Sequence, residues 1–241
     1  MADVLILAIE TATGCGSVAV TRGVGHTGKI VAEYTLQPDT PHSRHLLGLI
    51  QNIMATAGLR WQQLTAVAVS QGPGSFTGLR IGMAAAQGIA LAAALPLLTI
   101  PTLDGLAVQL PPVNWPVCCL LDARKQQVYA AVYRFREKGW ERTSPFLVMK
   151  PEELVLSFQE PTLVLGPGLP AYRAIFHGHP MVRQLHTTPV TPRAAAIGLY
   201  AADLLVQGKI QDNKQAAPLY VRASEAEVNL LTTKEQTDNG R

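Results

Sequence analysis

The chain has 241 residues, 48% of them hydrophobic and 15% charged, which suits one large domain or two half-sized ones at about 150 residues each and excludes extended disorder. Lys and Arg number 20 against 17 Asp and Glu, a net charge of +3, too small to create a field that steers a protein onto a phosphate backbone. Cys15, Cys118 and Cys119 form no C-x-x-C pair, which argues against a disulfide framework or a zinc knuckle and points to a reducing compartment.

The start, Met1-Ala2-Asp3, lacks the positive region of a signal peptide, so a cytoplasmic location is expected. Residues 4–10 read as a buried strand, and residues 17–21 and 29–36 as alternating strands, with Gly14, Gly16, Gly23, Gly25 and Gly28 between them: an antiparallel meander. Thr40-Pro41 gives a cap followed by proline at the first helical position, and Leu46, Leu47, Ile50, Ile53, Met54 and Ala57 recur at helical spacing up to Gly58. A strand at 65–70, a glycine loop at 71–78 and a long helix from about 77 to 95 follow, ended by Pro96. Residues 81–98 have the length of a membrane span. Their Ala and Gly content, Pro96 and the lack of aromatic belts read instead as a buried helix of small residues, so no membrane partner is expected.

The second half repeats the theme. Residues 117–121, 127–135 and 140–149 read as strands, 151–158 as a short helix and 162–165 as a strand, after which Gly166-Pro167-Gly168 opens another helix. Thr191-Pro192 repeats the cap-plus-proline signal before a helix through Val206 that Gly208 stops. The order is roughly βββαβα twice, with a boundary near 101–112, a cleft between two tight lobes and a loose polar tail at 227–241.

Chemistry concentrates in Q-G-P-G-S-F-T-G, residues 71–78. A strand feeding a glycine turn and then a helix presents N–H groups and a positive dipole end to phosphate or carboxylate. It matches neither a P-loop nor G-x-S-x-G, and the plain alternative is a tight turn with Ser75 or Thr77 as the helix cap. Glu10 and Thr11 at the end of the first strand offer an acid and a hydroxyl, so Glu10, Thr11, Gly72, Gly74 and Ser75 form a candidate degenerate phosphate site. Gly166-Pro167-Gly168 reads as a turn first and a nucleotide contact second. His42 and His45 share the start of a helix without completing a ligand set, so no metal is expected. Asp122-Ala123-Arg124-Lys125 places one carboxylate beside two bases at a strand end that faces the cleft, or forms a self-compensated turn. Arg134, Arg136, Lys138 and Arg142, interleaved with Phe135 and Trp140, hint at RNA, but Glu137 and Glu141 dilute them toward a solvated face. Gly78, Gly82, Ala85, Ala86, Ile89 and Ala93 leave a smooth helical stripe that admits a close neighbour, either a partner or the chain's own sheet.

The segments L-A-I-E-T-A-T-G-C-G-S-V-A-V (7–20), H-S-R-H-L-L (42–47), Q-G-P-G-S-F-T-G-L-R-I-G (71–82), A-Q-G-I-A (86–90), L-D-A-R-K-Q-Q-V-Y (121–129) and P-L-Y-V-R (218–222) resemble the TsaB (YeaZ) family in order along nearly the whole chain. The resemblance implies an α/β fold of the actin, Hsp70 and sugar-kinase type, with two ribonuclease-H-like lobes of mixed sheets at residues 1–104 and 105–226. It also implies a role in making threonylcarbamoyladenosine at position 37 of tRNA. In that family the catalyst is a paralogue, TsaD, whose His-x-x-x-His pair holds a metal. His42-x-x-His45 does not match that pair, and Glu10 stands where aspartate is common. The implied role is therefore that of a noncatalytic subunit without a cofactor, pairing with a TsaD-type transferase through the first two helices at His42, His45, Leu46, Ile50, Gly78, Gly82, Ala86 and Ile89. A TsaE-type ATPase is a further implied partner, a homodimer is implied for the chain alone, and tRNA is reached indirectly. The enzyme-class alternatives are an ATP-dependent phosphotransferase using Glu10, Thr11 and residues 72–75, and a metallopeptidase.

Overall fold

The computed structural model describes residues 3–36, 45–137, 139–184, 190–209 and 216–222. The first sheet begins with the expected meander, β1 (Leu5–Glu10), β2 (Gly16–Arg22) and β3 (Lys29–Leu36), each antiparallel to the last. Strands β4 (Ala66–Gly72) and β5 (Leu97–Pro101) join parallel to β1, giving the order β3-β2-β1-β4-β5. Helices α1 (Leu46–Thr56) and α2 (Phe76–Ala92) pack on one face, over Leu5, Leu7, Ile9, Val67 and Val69. A central strand covered on both faces must be apolar at every position rather than at alternate ones, which is why L-I-L-A-I carries no polar residue.

The second sheet repeats this plan. Strands β6 (Val117–Arg124), β7 (Gln127–Arg136) and β8 (Gly139–Arg142) are successively antiparallel, and β10 (Thr162–Leu165) and β11 (Val182–Gln184) join parallel to β6, for the order β11-β10-β6-β7-β8. The short β9 (Leu147–Met149) also pairs with β7. The single strand expected over 140–149 is thus split: Thr143 and Ser144 turn their hydrogen bonds onto Val132, and Pro145 offers no N–H to a ladder. Helix α3 (Thr102–Ala107) packs on one face of this sheet, and α4 (Pro151–Leu156) and α5 (Arg173–Phe176) on the other.

The last helix, α6 (Ala194–Val206), follows the second sheet in the chain but packs on the first, where Ala194, Ile197, Ala201 and Ala202 meet Ile6, Ala8, Ala66 and Ala68. Chain order alone places it with the second half. Its N-terminus is not capped by Thr191; Arg193 holds the cap position. The Ser17 hydroxyl accepts the Ala194 N–H at 3.2 Å, and Glu33 accepts the Ala195 N–H at 3.0 Å while pairing with Arg193. The cap thus comes from more than 150 positions away in the chain (|i−j| 162), which a local sequence rule does not see. Helices α3 and α6 touch where Gly105 meets Ile197, joining the two layers. Among the described residues no helix is long and apolar enough to cross a membrane.

Candidate functional site

Parallel strands β1 and β4 end side by side, and the loops that leave them meet. The Thr11 N–H donates to the Ser70 hydroxyl at 3.3 Å, and the Ser75 N–H donates to the Ala12 carbonyl at 2.6 Å. Ser75 caps α2, its hydroxyl accepting the Gly78 N–H at 3.2 Å, so the turn-and-cap expectation describes the loop. The Thr11 hydroxyl donates to the Gly78 carbonyl at 2.8 Å. A Cβ at Gly74 would lie 2.2 Å from the Ala12 carbonyl oxygen, one at Gly78 2.1 Å from the Thr11 carbonyl oxygen, and one at Gly82 2.1 Å from the Thr11 hydroxyl. Glycine recurs every fourth residue because the Thr11–Ala12 backbone lies directly on the first two turns of the helix.

The five residues of the expected phosphate site do not meet at the cleft. Glu10 and Thr11 are fully buried and do not reach the cleft. Gly72 is buried against the Leu219 carbonyl, and only Gly74 and Ser75 line the cavity. The Ser75 N–H that a phosphate would require is already taken by Ala12. One Glu10 oxygen accepts the Ala12 N–H at 2.6 Å, and the other meets no hydrogen-bond donor among the described residues. Burial pushes this carboxyl up to about 7, against the opposing pull of the Ala12 amide and, more weakly, of the nearby Ser70 hydroxyl and Thr13 amide.

Between the lobes lies a cavity of about 930 Å³. Its walls are the β1–β2 turn, the glycine loop and Arg80 on one side, and the end of β6, Tyr129 and Pro167 on the other. Residues 219–222 complete it. This last segment straps the two lobes together. The Leu219 N–H donates to the Gln71 carbonyl at 2.8 Å, Tyr220 accepts from Arg80 Nε at 3.0 Å, and Arg222 donates to Gln127 at 3.3 Å. The Tyr220 ring lies 5.2 Å from that of Phe76, and the Arg80 guanidinium sits 3.8 Å from the Phe76 ring centre. Asp122 faces the same space and is locally compensated, accepting the Arg124 N–H at 2.8 Å and the Tyr172 hydroxyl at 3.2 Å, with the Arg124 guanidinium at 3.6 Å. Gly166 and Gly168 press on Leu120 and Leu121 as Gly74 presses on Ala12, so that motif is a packing turn.

A family model described as TsaD, tRNA N6-adenosine threonylcarbamoyltransferase, matches residues 29–230. The tRNA threonylcarbamoyladenosine biosynthesis protein TsaB of Escherichia coli is 33% identical, over 90% of this chain and 94% of that protein. The chain belongs to the TsaB family. The Haemophilus influenzae protein of the same name is 32% identical over 71% of this chain and 75% of its own length. YeaZ from Pseudomonas aeruginosa superposes with a TM-score of 0.76 at 25% identity, covering 90% of this chain and all of that one. The doubled β3-β2-β1-β4-β5 plan is the actin-like fold that the resemblance implies.

In this TsaB-family chain the residues expected at a partner interface divide by burial. His42 lies outside the described residues. Leu46, Ile50, Gly78, Gly82 and Ala86 are buried in the chain's own core, and Ile89 is half-buried against it, so the smooth stripe packs on the protein's own first strand and the loop after it. Among the described members of the group, His45 alone is exposed. The outer faces of the same helices carry other residues: Leu47, 60% exposed, beside Gly48 on α1, and Ala84, Gly88 and Leu91, the last 84% exposed, on α2. Added Cβ atoms at Gly48 and Gly88 would meet nothing within 4 Å. The basic group on β7 and β8 is compensated: Arg134 pairs with Glu160, Arg136 with Glu141 and Arg142 with Asp104, which supports a solvated face there, while Lys138 lies outside the described residues. Arg80, Tyr129, Tyr220 and Arg222 were not singled out by spacing. The Arg80–Tyr220 contact spans 140 positions, and the P-L-Y-V-R string carries no motif that signals it.

Proposed function

We propose that this chain is a noncatalytic subunit in the biosynthesis of threonylcarbamoyladenosine at position 37 of tRNA, pairing with a TsaD-type transferase through the outer faces of α1 and α2. The observation that carries the reading is the contrast between the two candidate regions. The glycine loop is closed by Thr11 and Ala12, so it lacks a cradle for the phosphates that a phosphotransferase must hold. Two neighbouring helices, meanwhile, present Leu47 and Leu91 beside glycines that admit a close backbone. Exposed leucines flanked by small residues suit helix packing, where a neighbour's side chains seat over the gap. The relatives' names supply the pathway. In this reading a TsaE-type ATPase is the third member, and the same face pairs two copies when the partner is absent.

The test is an omission assay: tRNA threonylcarbamoylation is reconstituted from purified TsaD-type transferase, TsaE-type ATPase and the adenylate-forming enzyme, with and without this chain. Modification that needs the chain, together with no ATP turnover by the chain alone, supports the reading. Equal modification without it, or turnover by the isolated chain, refutes it. Gly88→Arg addresses the surface, since a guanidinium there enters open solvent in the monomer and blocks close approach of a partner helix. It should abolish co-purification with the transferase at a melting temperature no lower than that of the wild type.

A further inference from the structure

Among the described arginines, some meet a carboxylate and others do not. Arg22, Arg134, Arg136, Arg142 and Arg193 each meet a carboxylate. Arg80 and Arg222, which line the interlobe cavity, meet none among the described residues, and Arg124 on its rim meets only the Asp122 that two other donors already satisfy. The cavity therefore gathers three guanidinium groups from α2, from the end of β6 and from the strap, against one carboxylate. Arg60, Arg173 and Arg183 also meet no carboxylate among the described residues, so the three cavity arginines are set apart by their convergence on one space and not by lacking partners, in a chain that carries only +3.

Two further features accompany this excess. Tyr220 keeps 40% of its surface exposed although it is anchored by Arg80 and Phe76, which leaves a fixed aromatic ring at the cavity wall. Arg124, Lys125 and Gln126 have φ values of +60, +52 and +57°, three consecutive left-handed residues of which none is glycine. Lys125 and Gln126 form the loop of the β6–β7 hairpin, where positive φ at both central residues is the ordinary turn geometry. Arg124, at the start of that turn, keeps its side chain 87% exposed on the cleft rim.

We propose that the mouth of the interlobe cleft is a contact site for single-stranded RNA, with Arg80, Arg124 and Arg222 meeting phosphodiesters and Tyr220 stacking a base. Guanidinium groups spread over both lobes suit single negative charges spaced along a strand, and an anchored aromatic ring suits any base. A free nucleoside triphosphate would need its charges gathered at one point, and the loop built for that is closed. The site rests on the proposed role in tRNA modification only for the identity of the RNA, and it gives this subunit a direct hold on the strand rather than one through its partner.

The experiment is fluorescence anisotropy of a fluorescein-labelled octa-adenylate RNA with the full-length chain alone, across a salt series, so its outcome is independent of the omission assay. Three phosphate contacts on a single strand predict a slope of log affinity against log salt of about −2, reduced by about 0.7 in Arg124→Gln or Arg222→Gln. Tyr220→Ala should weaken binding by about 5- to 150-fold, the range of one stacked base, and Tyr220→Phe should restore it. Arg124→Gln alters an exposed turn, so its effect does not depend on whether the Tyr220 variant folds. Absence of binding at low salt overturns the proposal, as does affinity unchanged by all three substitutions. Displacement of the octamer by AMP or inorganic tripolyphosphate at equal phosphate concentration also overturns it, reassigning the cleft to free nucleotides or to small anions in general.

Discussion

Glu10 gives the structure its sharpest quantitative test. The carboxyl ends a central strand with no exposure, one oxygen on the Ala12 amide and the other without a donor among the described residues, and burial raises it from 4.5 to about 7. Below about pH 4.5 both the folded and the unfolded chain hold the proton. Between about 4.5 and 7 the folded chain keeps a proton that the unfolded chain releases, so stability falls as pH rises through that window, and the deficit stays constant above it. At 1.36 kcal/mol per pH unit the deficit reaches about 3 kcal/mol. Glu10→Gln is neutral at every pH and keeps an oxygen for the Ala12 N–H. Its amide nitrogen inherits the partnerless position, at a cost that does not change with pH. The measured quantity is therefore the difference between two differences: variant minus wild-type unfolding free energy from urea titration at pH 8, less the same at pH 4.5. This should be about +3 kcal/mol in favour of the variant, with other titrating groups cancelling. A pH-independent difference, or one that moves against the variant as pH rises, would show that Glu10 is ionised and satisfied in the folded protein.

The other predictions separate residues that look alike. Gly82→Ala should destabilise the chain by roughly 1–3 kcal/mol in the same urea titration, because its Cβ meets the Thr11 hydroxyl at 2.1 Å. Gly88→Ala, six residues on in the same helix with nothing within 4 Å, should stabilise it by up to about 1 kcal/mol through helix propensity. Glu33→Ala should cost about 1–2 kcal/mol because that carboxylate caps α6 as well as pairing with Arg193, whereas Arg193→Ala, which removes only a half-exposed ion-pair partner, should cost less than about 1 kcal/mol.

Much of the architecture was legible because its signals are local. The apolar run of β1, the alternation of β2 and β3, the S-F-T-G cap of α2 and the Gly208 stop each reflect a few neighbouring residues. Elements that long-range contacts stabilise were not. Strand β5 is a five-residue run that follows Pro96 and ends on Pro101, and α3 has six residues and no side-chain cap; α6 was legible as a helix, but not its cap, which comes from Ser17 and Glu33. The cleft follows the same rule: the glycine loop was visible as a turn, while Arg80, Tyr220 and Arg222 come together only through the strap.

The small-residue helix shows where such reading stops for a physical reason. Gly78, Gly82 and Ala86 recur at intervals of four, and so do Ala84 and Gly88. Either series marks a face that another backbone can approach, and the spacing is identical. What distinguishes them is Thr11, whose hydroxyl and carbonyl lie against the first series and leave the second open. Thr11 sits 67 positions before Gly78, at the end of a strand whose parallel pairing to β4 fixes which side of α2 it meets. Periodicity therefore establishes that a face is smooth, and only the strand register establishes which face is occupied by the chain itself. The residues left over, with Leu91 among them, are the ones on which the pairing reading has to stand.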